Sequence, residues 1–311
     1  MTLTIDKKAQ QMTDKSRVLI LGHGEMGKAM EYLLKKTWQL DIWEKYPQGN
    51  FHSVVLKEAA CQADIVLFCL PVNPHREIVE YLVPYLKKTC LCVSIAKGLD
   101  EAGQTAAQIF AESFASHQPY ALLYGPMISE EIRAGRYAFA QLGSYAIDSY
   151  NKLRTLFHGS RLYLEHTADI TGISWSVILK NVYAMVFGMA DELQLGDNMR
   201  GYLSVAALRE LGQIVWKIGG QAGSPYQLAG LGDLITTATS AASHHHELGR
   251  MLAREEIRGI EGEGPHTLQM VNQHQLFNTA DYPLFQLISD IVKHPHHVGQ
   301  RINGYIEQAY S

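Results

Sequence analysis

A glycine-rich loop stands near the start of the chain, where Gly22, Gly24 and Gly27 have the spacing G-x-G-x-x-G. The apolar run before the loop predicts a strand, and the amphipathic run after it predicts a helix. In that setting Gly22 allows a tight turn, Gly24 lets a pyrophosphate approach the backbone, and Gly27 allows close helix–strand packing. The helix N-terminus also offers N–H groups and partial positive charge. The loop therefore predicts a dinucleotide site, and the alternative is a purely structural turn.

An acidic residue, Glu44, ends the second predicted strand. A carboxylate at this point accepts hydrogen bonds from ribose hydroxyls and repels a 2′-phosphate, which favours NAD over NADP. Because Lys45 lies beside it, NADP stays possible as the cofactor. The alternative is that Glu44 is a solvated loop residue.

Apolar, β-branched runs alternate with amphipathic runs in the first half of the chain. Near-continuous apolar strands separated by helices predict a parallel sheet that is covered on both faces. The strand-like segments, of which the last two could extend the sheet, are residues 18–22, 40–43, 64–71, 90–98, 120–126, 138–143 and 161–166. Residues 25–36 and 76–86 are predicted helices between them.

Helical spacing of apolar residues replaces this strand pattern in the second half. Residues 168–194 predict one long helix, and residues 203–220 predict another that ends at a glycine pair suited to a C-terminal cap. We therefore predict an α/β fold with three parts. These are a polar tail at residues 1–16, a Rossmann-type doubly wound domain at 17–166 and an all-helical domain at 167–311.

Composition excludes several classes of protein. A length of 311 residues suggests about two domains. The net charge of −4 excludes the strongly basic footprint of a nucleic-acid binder, and 47% hydrophobic with 19% charged residues excludes a mainly disordered chain. No apolar run approaches the roughly 18 residues that span a bilayer, so we expect no membrane span.

Cysteine and histidine usage completes this picture. Cys69, Cys90 and Cys92 lie in apolar, strand-like runs, and with Cys61 they predict reduced thiols in a cytoplasmic protein. The consecutive histidines at 244–246 point in different directions, and no HExxH motif or cysteine pair accompanies them, so no metal site is expected.

Five segments in order resemble the NAD(P)-dependent glycerol-3-phosphate dehydrogenase family. They are SIAKGLD at 94–100, GPMISEEIRAG at 125–135, ILKNVYAMVFGMADELQLGDNMRGYL at 178–203, LAGLGDLITTATS at 228–240 and EGPHT at 263–267. With the glycine loop, the resemblance covers about residues 17–292. It implies a helical domain similar to the C-terminal domain of 6-phosphogluconate dehydrogenase. It also implies a cytoplasmic homodimer that takes a small-molecule substrate.

The resemblance implies an oxidoreductase that interconverts dihydroxyacetone phosphate and sn-glycerol 3-phosphate, as in glycerophospholipid metabolism. It gives Lys180 as the general acid/base, Lys97 as a group that polarises or positions substrate, and Asp233 as the carboxylate that orients Lys180. Burial in an apolar helix would lower the pKa of Lys180 toward neutrality. The alternatives are a surface lysine at 180, a solvated loop lysine at 97 and a helix cap at 233.

The resemblance also implies binding residues. The substrate contacts are Asn181, Thr237, His245 and His246. The cofactor contacts are Gly22, His23, Gly24, Glu25, Met26, Gly27, Glu44, Pro71 and Glu263.

One departure from the family concerns the substrate phosphate, because the family's S-R-N-R is S-H-H-H at residues 243–246. A guanidinium offers permanent charge and a two-pronged contact, whereas a neutral imidazole offers one donor. A protonated His246 could bind phosphate with an affinity that rises as pH falls toward about 6.5. Alternatively, Arg200 or Arg250 supplies the charge, or the substrate carries no phosphate. Met127 and Lys28 are further departures near the predicted sites.

Two other functions stay open at this point. One is a sister dehydrogenase for an unphosphorylated 2-oxo or 2-hydroxy compound, which the histidine replacement motivates. The other is a protein that binds NAD(H) without catalysis. A pure binder would not need the predicted catalytic set, which is complete here: Lys97, Lys180, Asn181, Asp233 and Thr237.

Overall fold

The computed structural model describes residues 16–114, 118–240, 243–256 and 258–311, so the predicted polar tail lies almost wholly outside the described residues. The chain divides into two compact units. The first contains the described residues up to Ala96 together with Gln104–Ile170, and the second contains Lys97–Gly103 and Thr171–Ser311. The short segment 97–103, which lies inside the predicted domain 17–166, thus clusters with the second unit.

The first unit is built on a seven-stranded sheet. Its strands are β1 (Arg17–Leu21), β2 (Gln39–Trp43), β3 (Ile65–Phe68), β4 (Leu91–Ser94), β5 (Tyr120–Tyr124), β6 (Ala138–Gly143) and β7 (Leu162–Thr167). Their order is β2-β1-β3-β4-β5-β6-β7. Strands β1 to β5 pair in parallel, β6 pairs antiparallel with β5, and β7 is parallel to β6. The last two strands therefore extend the predicted parallel sheet in the opposite direction.

Alternation along the strands explains why they are almost wholly apolar. In β1, Val18 and Ile20 pack in one core cluster, whereas Leu19 and Leu21 pack in another. Strands β3 and β4 divide their side chains between the same two clusters. Because helices cover both faces of the sheet, each position on a central strand is buried, as the sequence pattern predicts.

Helices connect the strands of the first unit and make up most of the second. In the first unit they are α1 (Glu25–Leu34), α2 (Leu56–Gln62), α3 (His75–Leu82), α4 (Ala106–Ser113), α5 (Ser129–Arg133) and α6 (Ile147–Leu156). In the second they are α7 (Ile170–Glu192), α8 (Gly196–Lys217), α9 (Asp233–Thr239), α10 (His244–Ala253), α11 (Glu263–His274), α12 (Pro283–Lys293) and α13 (Val298–Tyr310). The predicted fold class, a Rossmann-type sheet followed by a helical domain, is confirmed.

The second long helix, α8, begins at Gly196, earlier than the predicted residue 203. Its first residues are polar and mostly exposed, so the apolar periodicity that marks a helix in sequence starts only later. At the other end Gly219 has φ +92°, so the predicted glycine cap is present.

Helix α7 is long and apolar enough to cross a membrane by length and composition, with a mean hydropathy of 1.3. The window arises because short apolar runs add up across the interrupting polar residues. In the structure 94% of this window is buried inside the protein, which is typical of a core helix.

Candidate active site

Lys180 lies in the middle of α7, where the helix is buried on every side. Its side chain is only 5% exposed, so the surface-lysine alternative is wrong. Lys180 Nζ donates to Thr237 Oγ1 at 2.6 Å and lies 3.2 Å from Asp233 Oδ2. Burial lowers the pKa of Lys180 to about 8, with Asp233 opposing that fall and Lys97 adding to it. An ammonium with such a pKa exchanges its proton near neutral pH.

Asp233 joins Lys180 to the second predicted lysine. Lys97 Nζ lies 2.7 Å from Asp233 Oδ2, the same oxygen that faces Lys180. Burial alone would raise the pKa of Asp233, but Lys180 and Lys97 outweigh burial and lower it. The carboxylate is therefore ionised and bridges two ammonium groups.

The local backbone structure places Asp233 at this position. The sequence LAGLG forms one π-helical turn over Leu228–Gly232, and Asp233 is the first residue of α9. Gly232 is the N-cap of α9, and no side chain of the described residues caps this helix, so Asp233 lies in the first turn and is not the cap. Single π-turns are frequent at functional sites. Four residues further on, Thr237 donates to the Asp233 carbonyl at 2.7 Å and accepts from Lys180.

Asn181 and Glu263 form the next layer of this unit's polar cluster. Asn181 Nδ2 donates to Glu263 Oε2 at 2.9 Å and to the carbonyl of Lys97 at 3.2 Å. Burial raises the pKa of Glu263, whereas both lysines lower it. With both amide hydrogens used, Asn181 Oδ1 remains as an acceptor, and it has no partner among the described residues.

Sequence reasoning missed Gly264 as a residue of this layer. A Cβ there would lie 2.9 Å from the Asn181 carbonyl oxygen and 3.2 Å from His245 Cδ2. Only a glycine allows helix α11 to lie this close to Asn181. Its place beside Glu263 in the EGPHT segment was the available signal.

The three consecutive histidines make different contacts. Burial lowers the pKa of His245 to about 3, and the nearby Lys180 adds to the effect. His245 is therefore neutral at physiological pH. Its Nε2 is buried without a partner in the described part of the chain. His244 Nε2 instead donates to the carbonyl of Glu261 at 2.9 Å.

His246 is held by a carboxylate outside the lysine cluster. Its Nε2 lies 2.8 Å from Asp191 Oδ2, so one ring nitrogen is already occupied. Arg200, one of the two arginines considered for phosphate, also bonds Asp191, with Nε 2.7 Å from Oδ1. The Asp191 carboxylate is thus a direct partner of both side chains.

The glycine loop has the geometry that dinucleotide binding requires. Gly22 has φ +90°, and a Cβ on Gly27 would lie 2.0 Å from the Gly22 carbonyl oxygen. A Cβ on Gly24, by contrast, would meet nothing within 4 Å, so this glycine leaves open space over the backbone. Helix α1 begins at Glu25 with Gly24 as its N-cap, and no side chain among the described residues caps the helix end. The loop therefore fits a pyrophosphate.

Glu44 closes the other side of this loop. Glu44 Oε2 accepts from the His23 N–H at 2.8 Å, and Oε1 accepts from the Tyr46 N–H at 3.3 Å, so it is not a freely solvated residue. A cavity of about 520 Å³ in the first unit is lined by His23, Gly24, Lys28, Glu44, Tyr46, Gln48 and Phe51. The carboxylate and the aromatic rings suit a ribose and a planar base.

Four of the five remaining predicted cofactor residues lie in the first unit. His23 stacks on Phe51 at 4.4 Å between ring centroids, and its Nε2 lies 2.9 Å from Glu31 Oε2. Met26 packs on a core cluster of the sheet, and Glu25 forms an ion pair with Arg133. Pro71 follows β3 and accepts a hydrogen bond through its carbonyl. Glu263 lies in the second unit, apart from these residues in the chain.

A Rossmann-type sheet with a dinucleotide loop, and a helical unit with a buried lysine of lowered pKa, define a nicotinamide-dependent dehydrogenase class. Family models agree: residues 44–148 match the N-terminus, and residues 169–303 the C-terminus, of NAD-dependent glycerol-3-phosphate dehydrogenase. The chain belongs to this family of NAD(P)-dependent oxidoreductases.

Individual relatives are similar over most of their length. Glycerol-3-phosphate dehydrogenase (NAD(P)+) 1 of Mycobacterium tuberculosis is 30% identical over 264 residues, covering 81% of this chain and 76% of the relative. The enzyme of the same name, without the number, from Gloeobacter violaceus is 28% identical over 286 residues, covering 89% and 92%. The crystal structure of glycerol-3-phosphate dehydrogenase from Coxiella burnetii has a TM-score of 0.80 at 22% identity, covering 94% of this chain and 99% of that one. This last likeness shows the shared fold.

Proposed function

We propose that the protein interconverts dihydroxyacetone phosphate and sn-glycerol 3-phosphate with a nicotinamide cofactor. The observation that carries this proposal is Lys180, a buried ammonium with a pKa of about 8 that is held by Asp233 and Thr237. When bound, the cofactor supplies or accepts the hydride. The residues of the chain must then donate a proton to the substrate oxygen, or remove one from it in the reverse direction.

Lys180 is the residue that donates and accepts that proton. An ammonium has three N–H groups, and Thr237 Oγ1 and Asp233 Oδ2 take two of them. The third is left for the carbonyl oxygen of the ketone, which receives the proton as the alcohol forms. In the reverse direction the neutral amine removes the hydroxyl proton, and Asp233 stabilises the resulting ammonium.

Lys97 supplies the second positive charge of the site. Lys97 and Lys180 share the Asp233 carboxylate, so two ammonium groups lie on either side of one carboxylate oxygen. We propose that Lys97, which is 21% exposed, contacts the substrate and polarises or positions it. Asn181 Oδ1 and His245 Nε2, two buried atoms without described partners, are the proposed hydrogen-bonding contacts. Thr237 and His246 act through Lys180 and Asp191, to which they bond.

The first unit holds the cofactor in this proposal. Gly22, Gly24 and Gly27 shape the pyrophosphate turn, with His23, Glu25, Met26 and Pro71 around it. Glu44 binds the adenosine ribose, and its negative charge makes NAD the preferred cofactor over NADP. Glu263 stays a proposed cofactor contact, and in the second unit it also holds Asn181.

The proposal also covers the oligomeric state and the cellular location of the enzyme. We propose a homodimer in the cytoplasm, in line with the family and with four free cysteines. Sedimentation of the purified protein distinguishes a dimer from a monomer.

The test of the function is NADH oxidation by purified protein with dihydroxyacetone phosphate, with dihydroxyacetone as the matched unphosphorylated substrate. We expect turnover of the phosphorylated ketone with a clearly larger kcat/KM. Equal or faster turnover of dihydroxyacetone would contradict the phosphate part and favour the sister dehydrogenase. NADH binding without turnover of either ketone would contradict the proposed reaction as a whole.

A further inference from the structure

The segment Lys97–Gly103, here called the Lys97 strap, is bonded to the helical unit at every second residue. Asn181 Nδ2 lies 3.2 Å from the Lys97 carbonyl oxygen, His266 Nε2 lies 3.1 Å from that of Leu99, and His274 Nε2 lies 3.0 Å from that of Glu101. These contacts explain why a segment that follows strand β4 clusters with the helices.

Two of the three contacts come from one helix, α11. A carbonyl oxygen only accepts hydrogen bonds, so Nε2 of each histidine must carry a hydrogen. His266 and His274 are eight positions apart, which places them on neighbouring faces of the helix. The strap packs closely between these contacts, since Leu99 is 2% and Asp100 7% exposed.

The strap carries Lys97, whose ammonium must stay beside Asp233. A lysine side chain has four rotatable bonds, so the position of its Nζ depends on how firmly its backbone is fixed. The Leu99 carbonyl is two residues from Lys97, whereas the Glu101 carbonyl is four residues away. His266 is partly buried at its contact, and His274 is exposed at its own. The His266 contact is therefore the better placed of the two to control Lys97.

We propose that His266 is a positioning residue for the reaction, which through the Leu99 carbonyl fixes the Lys97 strap and holds Lys97 Nζ at Asp233. This inference rests on the proposed function, in which Lys97 contacts the substrate. Displacement of a substrate-binding group by about 1 Å costs on the order of a hundredfold in rate, so a backbone contact of this kind has a measurable kinetic effect.

The chain offers a matched set of variants to test this. His266→Leu removes the donor, His266→Gln keeps an N–H that reaches toward the carbonyl, and His274→Leu removes the equivalent bond further along the strap. We expect His266→Leu to lower kcat/KM for dihydroxyacetone phosphate about tenfold, in line with the loss of one partly buried hydrogen bond. His266→Gln should recover most of that loss, and His274→Leu should change it less than threefold. The Kd for NADH should stay within about twofold in all three.

A double-mutant cycle with Lys97→Ala separates positioning from general destabilisation. If His266 acts through Lys97, adding His266→Leu to Lys97→Ala causes no further loss of kcat/KM. Additive losses would overturn the proposal, as would equal effects of His266→Leu and His274→Leu. Should His266→Leu fail to fold, His266→Asn, whose amide is too short to reach, takes its place in the cycle. Full activity of Lys97→Ala would instead overturn the role of Lys97 in the proposed function.

Discussion

The glycine loop of the first unit and the lysine cluster of the second unit are built in different ways. The loop is one continuous segment, and its backbone shape supplies the binding groups. The lysine cluster joins side chains from α7, α9, α11 and the Lys97 strap. Lys180 and Asp233 in this cluster are buried, and each shifts the pKa of the other.

Because of this difference, the two sites should respond to different kinds of substitution. A site made of backbone fails when a side chain fills its space, whereas a site made of buried charges fails when one charge is removed. Both kinds of failure can be measured here, because cofactor binding and turnover report on the two sites separately.

Replacement of Lys180 should have the largest effect. Lys180→Met keeps an apolar chain of similar length but removes the proton donor, so we expect kcat to fall on the order of 10²- to 10⁴-fold. The Kd for NADH, measured by fluorescence, should be unchanged because the glycine loop is intact. The control is Lys217→Met, an exposed lysine paired with Asp281. Retention of more than a tenth of the wild-type kcat in Lys180→Met would contradict the assignment.

Substitutions of two glycines in the loop should affect protein stability and NADH binding separately. In Gly27→Ala the new Cβ would lie 2.0 Å from a backbone oxygen, so we expect the free energy of unfolding to fall by about 1–3 kcal/mol. In Gly24→Ala the Cβ meets nothing, so stability should hold while the Kd for NADH rises about tenfold or more. Denaturant unfolding and NADH titration measure both. An unchanged Kd in Gly24→Ala would exclude a pyrophosphate at this turn.

The pH dependence of kcat/KM should follow the protonation of Lys180. Burial lowers its pKa to about 8, so the ammonium that ketone reduction needs is present below that pH and lost above it. We expect kcat/KM for reduction to be level at lower pH and to fall about tenfold per pH unit above 8. Alcohol oxidation should show the opposite slope.

Asp233 supplies the control for this profile. Asp233 raises the pKa of Lys180, so in Asp233→Asn the break should move to lower pH. A break that moves upward or stays in place would show that another group titrates.

The smallest effect concerns cofactor choice. Glu44→Gln removes a negative charge but keeps an oxygen that accepts from the His23 N–H. We expect the NADPH-to-NADH ratio of kcat/KM to rise about fivefold to twentyfold, equivalent to about 1–2 kcal/mol. Glu80→Gln, on an exposed helix face, is the control. An unchanged ratio would mean that Glu44 does not set the preference for NAD.

Much of the molecule was predictable because its signals are local. The seven strand segments, the glycine loop and the long helix of Lys180 all follow from periodicity or spacing within a short window. The reversed direction of β6 was not predictable, since its apolar pattern is the same for either orientation. The early start of α8 was missed because its first residues are polar.

The sequence by itself determined which residue types the chain possesses and which of them lie on one strand, turn or helix. It therefore predicted Gly22, Gly24 and Gly27 as a turn and Lys180 as a buried lysine. Only the tertiary structure decided that Asp233 bridges two lysines, that His245 is neutral and that His266 contacts the Leu99 carbonyl of the Lys97 strap. The physical reason is that burial and charge proximity are set by residues far apart in the chain, whereas backbone turns are set by immediate neighbours.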